Sequence, residues 1–102
     1  MICVIATIEA AAGRRGDLLA AFAELVPKVQ AEPGCLEYAP MVDLPSNMPG
    51  QPAARENVVT VVEKWESVEA LETHLMTPHM HDLRKSTDAL RRGLTLQILQ
   101  PA

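Results

Sequence analysis

Apolar and polar positions change period several times along this chain, and each change marks an element. "ICVIATIE" (2–9) is short and β-branched and reads as a strand. Leu18, Phe22, Leu25 and Val29 then recur at helical spacing, with the helix formers Ala20, Ala21 and Ala23 between them. Gly13 and Gly16 mark the preceding turn, and Asp17 is the expected N-cap. Pro27 falls inside the pattern. It lacks an N–H and clashes one turn back, at ~3 kcal/mol, so a kink or an early end is expected there. "EPGCLEYAPMV" (32–42) opens on a Pro-Gly turn and continues as a second strand.

"DLPSNMPGQPAAREN" (43–57) holds three prolines and no periodic pattern. Connections in compact domains usually run ~4–6 residues, so this one reads as a functional lid or a mobile loop. "VVTVVEKW" (58–65) is the strongest strand of the chain. Beyond Ser67, Glu69 and Glu72 suit the first turns of a helix, and Ala70, Leu71, His74 and Leu75 share one of its faces. Thr77-Pro78 breaks it, because a residue before proline avoids the α region. A further helix is expected from about Pro78 to Arg92, with Met80, Leu83, Thr87 and Leu90 along one side. Gly93 ends it, and "LTLQIL" (94–99) is the last strand.

This order predicts one α+β domain, a ferredoxin-like βαββαβ unit with a four-stranded antiparallel sheet. Its helices cover one sheet face only, yet "ICVIA" and "VVTVV" are apolar at consecutive positions, as in strands buried on both sides. A second copy packed sheet against sheet is the simplest cover. That predicts a homodimer with an apolar pocket between the sheets.

Composition narrows the function classes. A net charge of −4 with dispersed lysines and arginines, and one residue each of Trp, Tyr and Phe, argues against a nucleic-acid surface. No apolar run approaches the ~20 residues that span a membrane. The apolar start has no leading positive charge and is interrupted by Glu9, so no signal peptide and a cytoplasmic location are expected. Cys3 and Cys35 are too few for a disulfide framework or a zinc site and read as small core residues.

Glu32-Pro33-Gly34-Cys35-Leu36 leading to Tyr38, then Glu63-x-Trp65, Ala70-Leu71, His74-Leu75 and Pro78-His79, resemble the antibiotic biosynthesis monooxygenase family and its quinol monooxygenase relatives. The resemblance implies a dimeric α+β barrel that oxygenates an electron-rich quinol or polycyclic phenol with molecular oxygen, with no flavin, metal or haem. Such chemistry needs an apolar cavity, a base near the phenol and donors for the resulting anions. The resemblance implies His74 as the base. Trp65 and Tyr38 would line the pocket and supply donors, with His79 and Glu63 as further substrate contacts. Two positions depart from the pattern: Val61 stands where some members carry an asparagine, and Thr7 stands where haem-degrading relatives carry one.

Each residue also has a plainer reading. Trp65 fits a core or interface aromatic whose indole N–H finds one partner. His74 fits a satisfied structural histidine, His79 an exposed side chain at a helix start, and Tyr38 an edge tyrosine. Glu63 fits an ion pair with an arginine across the dimer. Arg84, Lys85, Arg91 and Arg92 fit the solvated side of the last helix. His74, His79 and His81 do not stack on one helical turn, so no metal site is expected. The other reading of the whole is a non-catalytic dimeric barrel that binds a small hydrophobic ligand.

Overall fold

The computed structural model describes residues 1–102. Four strands form one antiparallel sheet: β1 (Ile2–Ala10), β2 (Cys35–Met41), β3 (Val58–Trp65) and β4 (Arg91–Leu99), in the order β2-β3-β1-β4. Helix α1 (Arg15–Gln30) follows β1, and α2 (Val68–Leu75) and α3 (Pro78–Ser86) lie between β3 and β4. This is the expected ferredoxin-like α+β arrangement. No helix is long and apolar enough to cross a membrane.

In β1 and β3 burial alternates strictly. Val4, Ala6 and Ile8 of β1, with Val59, Val61, Glu63 and Trp65 of β3, point under the helices. There they meet Leu18, Phe22, Leu25 and Val29 of α1 and Leu71 of α2 in one core. The opposite face holds half-buried Ile5, Thr7, Val58, Thr60 and Val62. It is apolar without being dry, and the Thr60 hydroxyl is buried there with no partner. Cys3 also sits on this face and Cys35 at the core's margin, so both cysteines are half-buried rather than core residues.

Several local expectations are corrected. Helix α1 runs through Pro27 to Gln30. The proline sits in the last turns, where its missing N–H forfeits one bond and buried Val29 holds the chain in place. The N-cap is Arg14, and Asp17 lies inside the first turn, where its carboxylate accepts from Arg14 Nε at 2.6 Å. The last helix does not reach Arg92. It ends at Ser86, a 3-10 turn spans Asp88–Leu90, and Arg91 and Arg92 begin β4. Ser67 and Thr77 cap α2 and α3, accepting from the Ala70 and Met80 N–H groups.

Two bulges decide which side chains enter the helix-covered side. One shifts the β2–β3 register between Cys35 and Glu37, so that Leu36 turns outward and Tyr38 falls opposite Glu63. The other, between Glu9 and Ala10, pairs buried Ala10 with Arg91 and leaves Arg92 as the extra residue.

The long connection folds on itself. The Asp43 carboxylate accepts from Arg55 Nε at 2.8 Å and Nη2 at 3.0 Å, closing its two ends, and Gln51 Nε2 donates to the Leu44 carbonyl. The Arg55 guanidinium holds the Asp43 carboxyl well below the usual range.

Candidate active site

A cavity of about 120 Å³ opens between the sheet and the helices, several times the ~10–15 Å³ that one water needs. Its floor is Val4, Ala6, Ile8 and Val61, with Leu94 and Leu96 of β4; α2 and α3 supply much of the opposite wall. This pocket lies inside the protomer, apart from the space between two sheets where one was expected. The reason is parity: the side chains able to do chemistry fall on the helix-covered positions of β2 and β3, not on the open face. No residue of the 43–57 connection lines the cavity, so it is no lid in this arrangement.

Three of the five expected site residues meet in the cavity wall: Tyr38, Glu63 and His74. Glu63 is buried, and its Oε1 accepts from the Trp65 indole N–H at 3.0 Å. No cation of this chain pairs with it. Burial pushes its carboxyl up to about 7, the Trp65 hydrogen bond opposes that rise, and the Glu32 charge adds to it. Tyr38 is buried as well, and burial, then the charges of Glu63 and Glu32, raise its phenol far above the ordinary range. It stays protonated at every working pH and offers an O–H donor.

His74 is 1% exposed, and its imidazole lies between two aromatic rings. The Trp65 centroid is 4.6 Å away and the Tyr38 centroid 5.6 Å. Its Nδ1 is 2.9 Å from Glu32 Oε2. Burial lowers its pKa, Glu32 works against that, and His79 and Arg84 reinforce it. His74 is therefore neutral around pH 7 and able to accept a proton.

Trp65 and His79 are placed elsewhere. Trp65 is fully buried behind the cavity wall, with its N–H committed to Glu63 and its ring against His74. It meets the plainer expectation of an indole with one partner and does not reach the cavity. His79 borders a separate surface cleft with Glu24, Lys28 and Asp82. From there its Nε2 reaches the same Glu32 oxygen at 2.8 Å.

Glu32 is the polar residue that sequence reasoning missed. It lies 42 positions from His74 and 47 from His79, and what joins them is the Pro33-Gly34 turn. Gly34 has φ +83°, in the left-handed region, and a Cβ there would stand 2.7 Å from the Ala70 Cβ. Only glycine lets the turn press against α2, which brings Glu32 beside the histidines. The Glu-Pro-Gly motif was the available signal. Arg84 and Arg91, expected in solvent, also border the cavity. Arg91 Nε donates to the buried Thr87 hydroxyl at 3.1 Å, and its Nη2 to the Arg84 carbonyl.

Glu32, His74 and His79 also bring three metal-ligating atoms within 4.8 Å of one another, with His81 outside the group. The contacts of 2.8 and 2.9 Å are hydrogen-bond lengths. A tetrahedral zinc with bonds of ~2.0–2.1 Å would hold its donors roughly 3.4 Å apart.

Residues 1–86 match the family model described as antibiotic biosynthesis monooxygenase. The probable quinol monooxygenase YgiN of Escherichia coli strain K12 is 40% identical over 99% of this chain and 98% of its own length. Among solved structures, PA3566 from Pseudomonas aeruginosa superposes with a TM-score of 0.82 at 28% identity, covering 99% of this chain and 93% of that one. Rv0793 from Mycobacterium tuberculosis gives 0.81 at 24% identity over 99% and 94%, a likeness of fold.

Proposed function

Because the chain belongs to the antibiotic biosynthesis monooxygenase family, we propose that it oxidises a quinol or polycyclic phenol with molecular oxygen, without flavin, haem or metal. The observation that carries this reading is the polar part of an otherwise apolar cavity. A neutral buried imidazole, a carboxyl held near 7 and a phenol that stays protonated share one small wall.

Each group suits one demand of the reaction. Triplet oxygen reacts poorly with closed-shell phenols, but an ionised quinol passes it an electron readily. His74 takes the phenolic proton and so generates the electron-rich anion. Tyr38 donates its O–H to that anion, in a setting where low polarity strengthens the bond. Glu63, protonated about half the time near pH 7, supplies a proton to the reduced oxygen. One oxygen atom enters the substrate and the other leaves as water. All four electrons come from the substrate, so the balance needs no outside reductant. Trp65 acts from behind, holding Glu63 and packing on His74, and His79 acts through Glu32 rather than on the substrate.

The assembly belongs to the same proposal. Ile5, Val58 and Val62 leave an apolar sheet face half-open, and a second copy of this chain packed on it forms the dimer. Val62→Glu places a charge at its centre and converts the dimer to monomer in sedimentation; a dimer that survives it rules out this packing.

The test of the chemistry is oxygen uptake with reduced naphthoquinols and anthrone-type phenols, no cofactor added and autoxidation subtracted. Wild type consumes oxygen, and His74→Ala loses at least about a hundredfold in rate, the lower range of general-base contributions, while its melting curve stays cooperative. Wild-type uptake no faster than autoxidation across the panel sinks the oxygenase and leaves a barrel that only binds a hydrophobic ligand.

A further inference from the structure

One oxygen of Glu32 receives two imidazoles. His74 presents Nδ1 at 2.9 Å and His79 presents Nε2 at 2.8 Å. The Glu32 side chain is 8% exposed, His74 1% and His79 21%. Glu32 itself is not in the cavity wall, whereas His74 is. The three side chains thus connect the cavity to the surface, with one carboxylate oxygen shared by the two imidazoles.

An ionised carboxylate only accepts hydrogen bonds, so the imidazole nitrogen that faces it must carry the proton. Neutral His74 is then the Nδ1–H tautomer, and its lone pair is on Nε2, at the ring edge away from Glu32. Without that partner an imidazole is free to hold its proton on either nitrogen. The neutral forms protonated on Nε2 would then present an N–H, not a base, to the substrate.

We propose that Glu32 is a positioning residue for His74. It locks the ring in the Nδ1–H tautomer so that Nε2 faces the cavity as the acceptor, and it stabilises the imidazolium formed when a substrate proton is taken. His79 clamps the same oxygen from the surface side and competes with His74 for its charge. A protonated His79 therefore weakens His74 as a base, and the surface cleft sets the basicity of a buried group. The other ionisable groups facing His74 are Arg84 of α3, with Glu63 and Tyr38 of the sheet. Those around His79 are Glu24 and Lys28 of α1 and Asp82 of α3. The catalytic consequence rests on His74 being the base proposed above, but the tautomer lock stands apart from it.

The deciding experiment is long-range proton–nitrogen NMR of the uniformly 15N-labelled protein across a pH titration, on wild type, Glu32→Gln and His79→Gln. In wild type, neutral His74 shows a protonated Nδ1 and an unprotonated Nε2. In Glu32→Gln the two tautomers mix and the His74 protonation midpoint falls by a pH unit or more, because the carboxylate that favours the imidazolium is gone. In His79→Gln the tautomer is kept and the midpoint rises.

Kinetics give an independent reading. His74 must be neutral to act, so the acidic limb of the kcat profile follows its midpoint. Glu32→Gln lowers kcat tenfold or more and moves that limb to lower pH with KM little changed, and Glu32→Asp restores part of the rate. A purely structural role would lower the rate without moving the limb. A wild-type His74 protonated on Nε2 overturns the proposal, and that result needs no variant to fold. Stoichiometric zinc binding below micromolar that Glu32→Gln abolishes overturns it too, since the trio would then be a metal centre. A locked tautomer in a protein that oxidises no quinol leaves the lock standing and removes the oxygenase.

Discussion

The two enclosed carboxyls near His74 sit in opposite surroundings. Glu32 lies on the helix side, one oxygen shared between two imidazoles and a surface cleft within reach. Glu63 lies in the sheet floor against apolar walls, with a single neutral N–H from Trp65. Burial penalises the charged form of Glu63. Glu32 has partners able to carry positive charge, so its negative charge has a use: it orients and supports a base. Glu63 has none, so its proton is held up to about pH 7 and is available to be given away. Depth alone does not decide what a carboxyl does; the partner does.

The strongest way to break this contrast is Glu63→Gln. In the unfolded chain the carboxyl ionises near 4.5, and in the fold near 7. The folded state keeps the extra proton, so wild-type stability falls as pH rises through this window and levels off above it. The full loss is about 3 kcal/mol at 1.36 kcal/mol per pH unit. Urea unfolding at pH 5 and pH 9 is expected to show the variant gaining on wild type by that order. A gap that stays constant with pH would mean that a cation, such as an arginine of the second copy, already neutralises Glu63.

Gly34→Ala strikes the other region. It forces an L side chain into a left-handed turn and drives a Cβ to 2.7 Å from Ala70. The expected cost is about 2 kcal/mol, from backbone strain plus displacement of α2. The NMR signature of the Glu32–His74 contact should weaken with it, while the Glu63–Trp65 bond stays intact. Equal damage to both would show that the two regions are not separable.

Trp65→Phe is the mildest change. It keeps an aromatic ring beside His74 and removes the indole N–H, at about 1 kcal/mol for the hydrogen bond, together with the volume of the second ring. That bond holds the Glu63 carboxyl down, so the midpoint of Glu63 should climb above 7. Carbon-13 NMR of the side-chain carboxyl would follow it, and a midpoint that drops would reverse the roles assigned to burial and to Trp65.

Much of the fold is legible residue by residue. The strand at 58–65, the helix stripe from Leu18 to Val29 and the break at Thr77-Pro78 all follow from period, propensity and proline geometry. Glu63 and Trp65 share a face because strand side chains alternate, and this too is read directly from spacing. Pro27 shows where the local rule yields: a buried Val29 holds the helix together past a residue that lacks one N–H. Arg91 shows the same at the other end, where sheet pairing with Ala10 wins over the helical pattern.

By itself, then, the chain's pattern determined the α+β order, the faces of β1 and β3, and the family that its motifs resemble. Those properties are local or periodic, and each is written within a few residues. The tertiary structure decided that the cavity lies under the helices, that Trp65 stands behind it and that Tyr38 enters it through a bulge. It also decided that Glu32 joins two histidines more than forty positions away. These depend on register, on one extra residue in a strand and on a glycine that lets two segments touch. No spacing along the chain encodes such contacts, because they exist only once the sheet and the helices have packed.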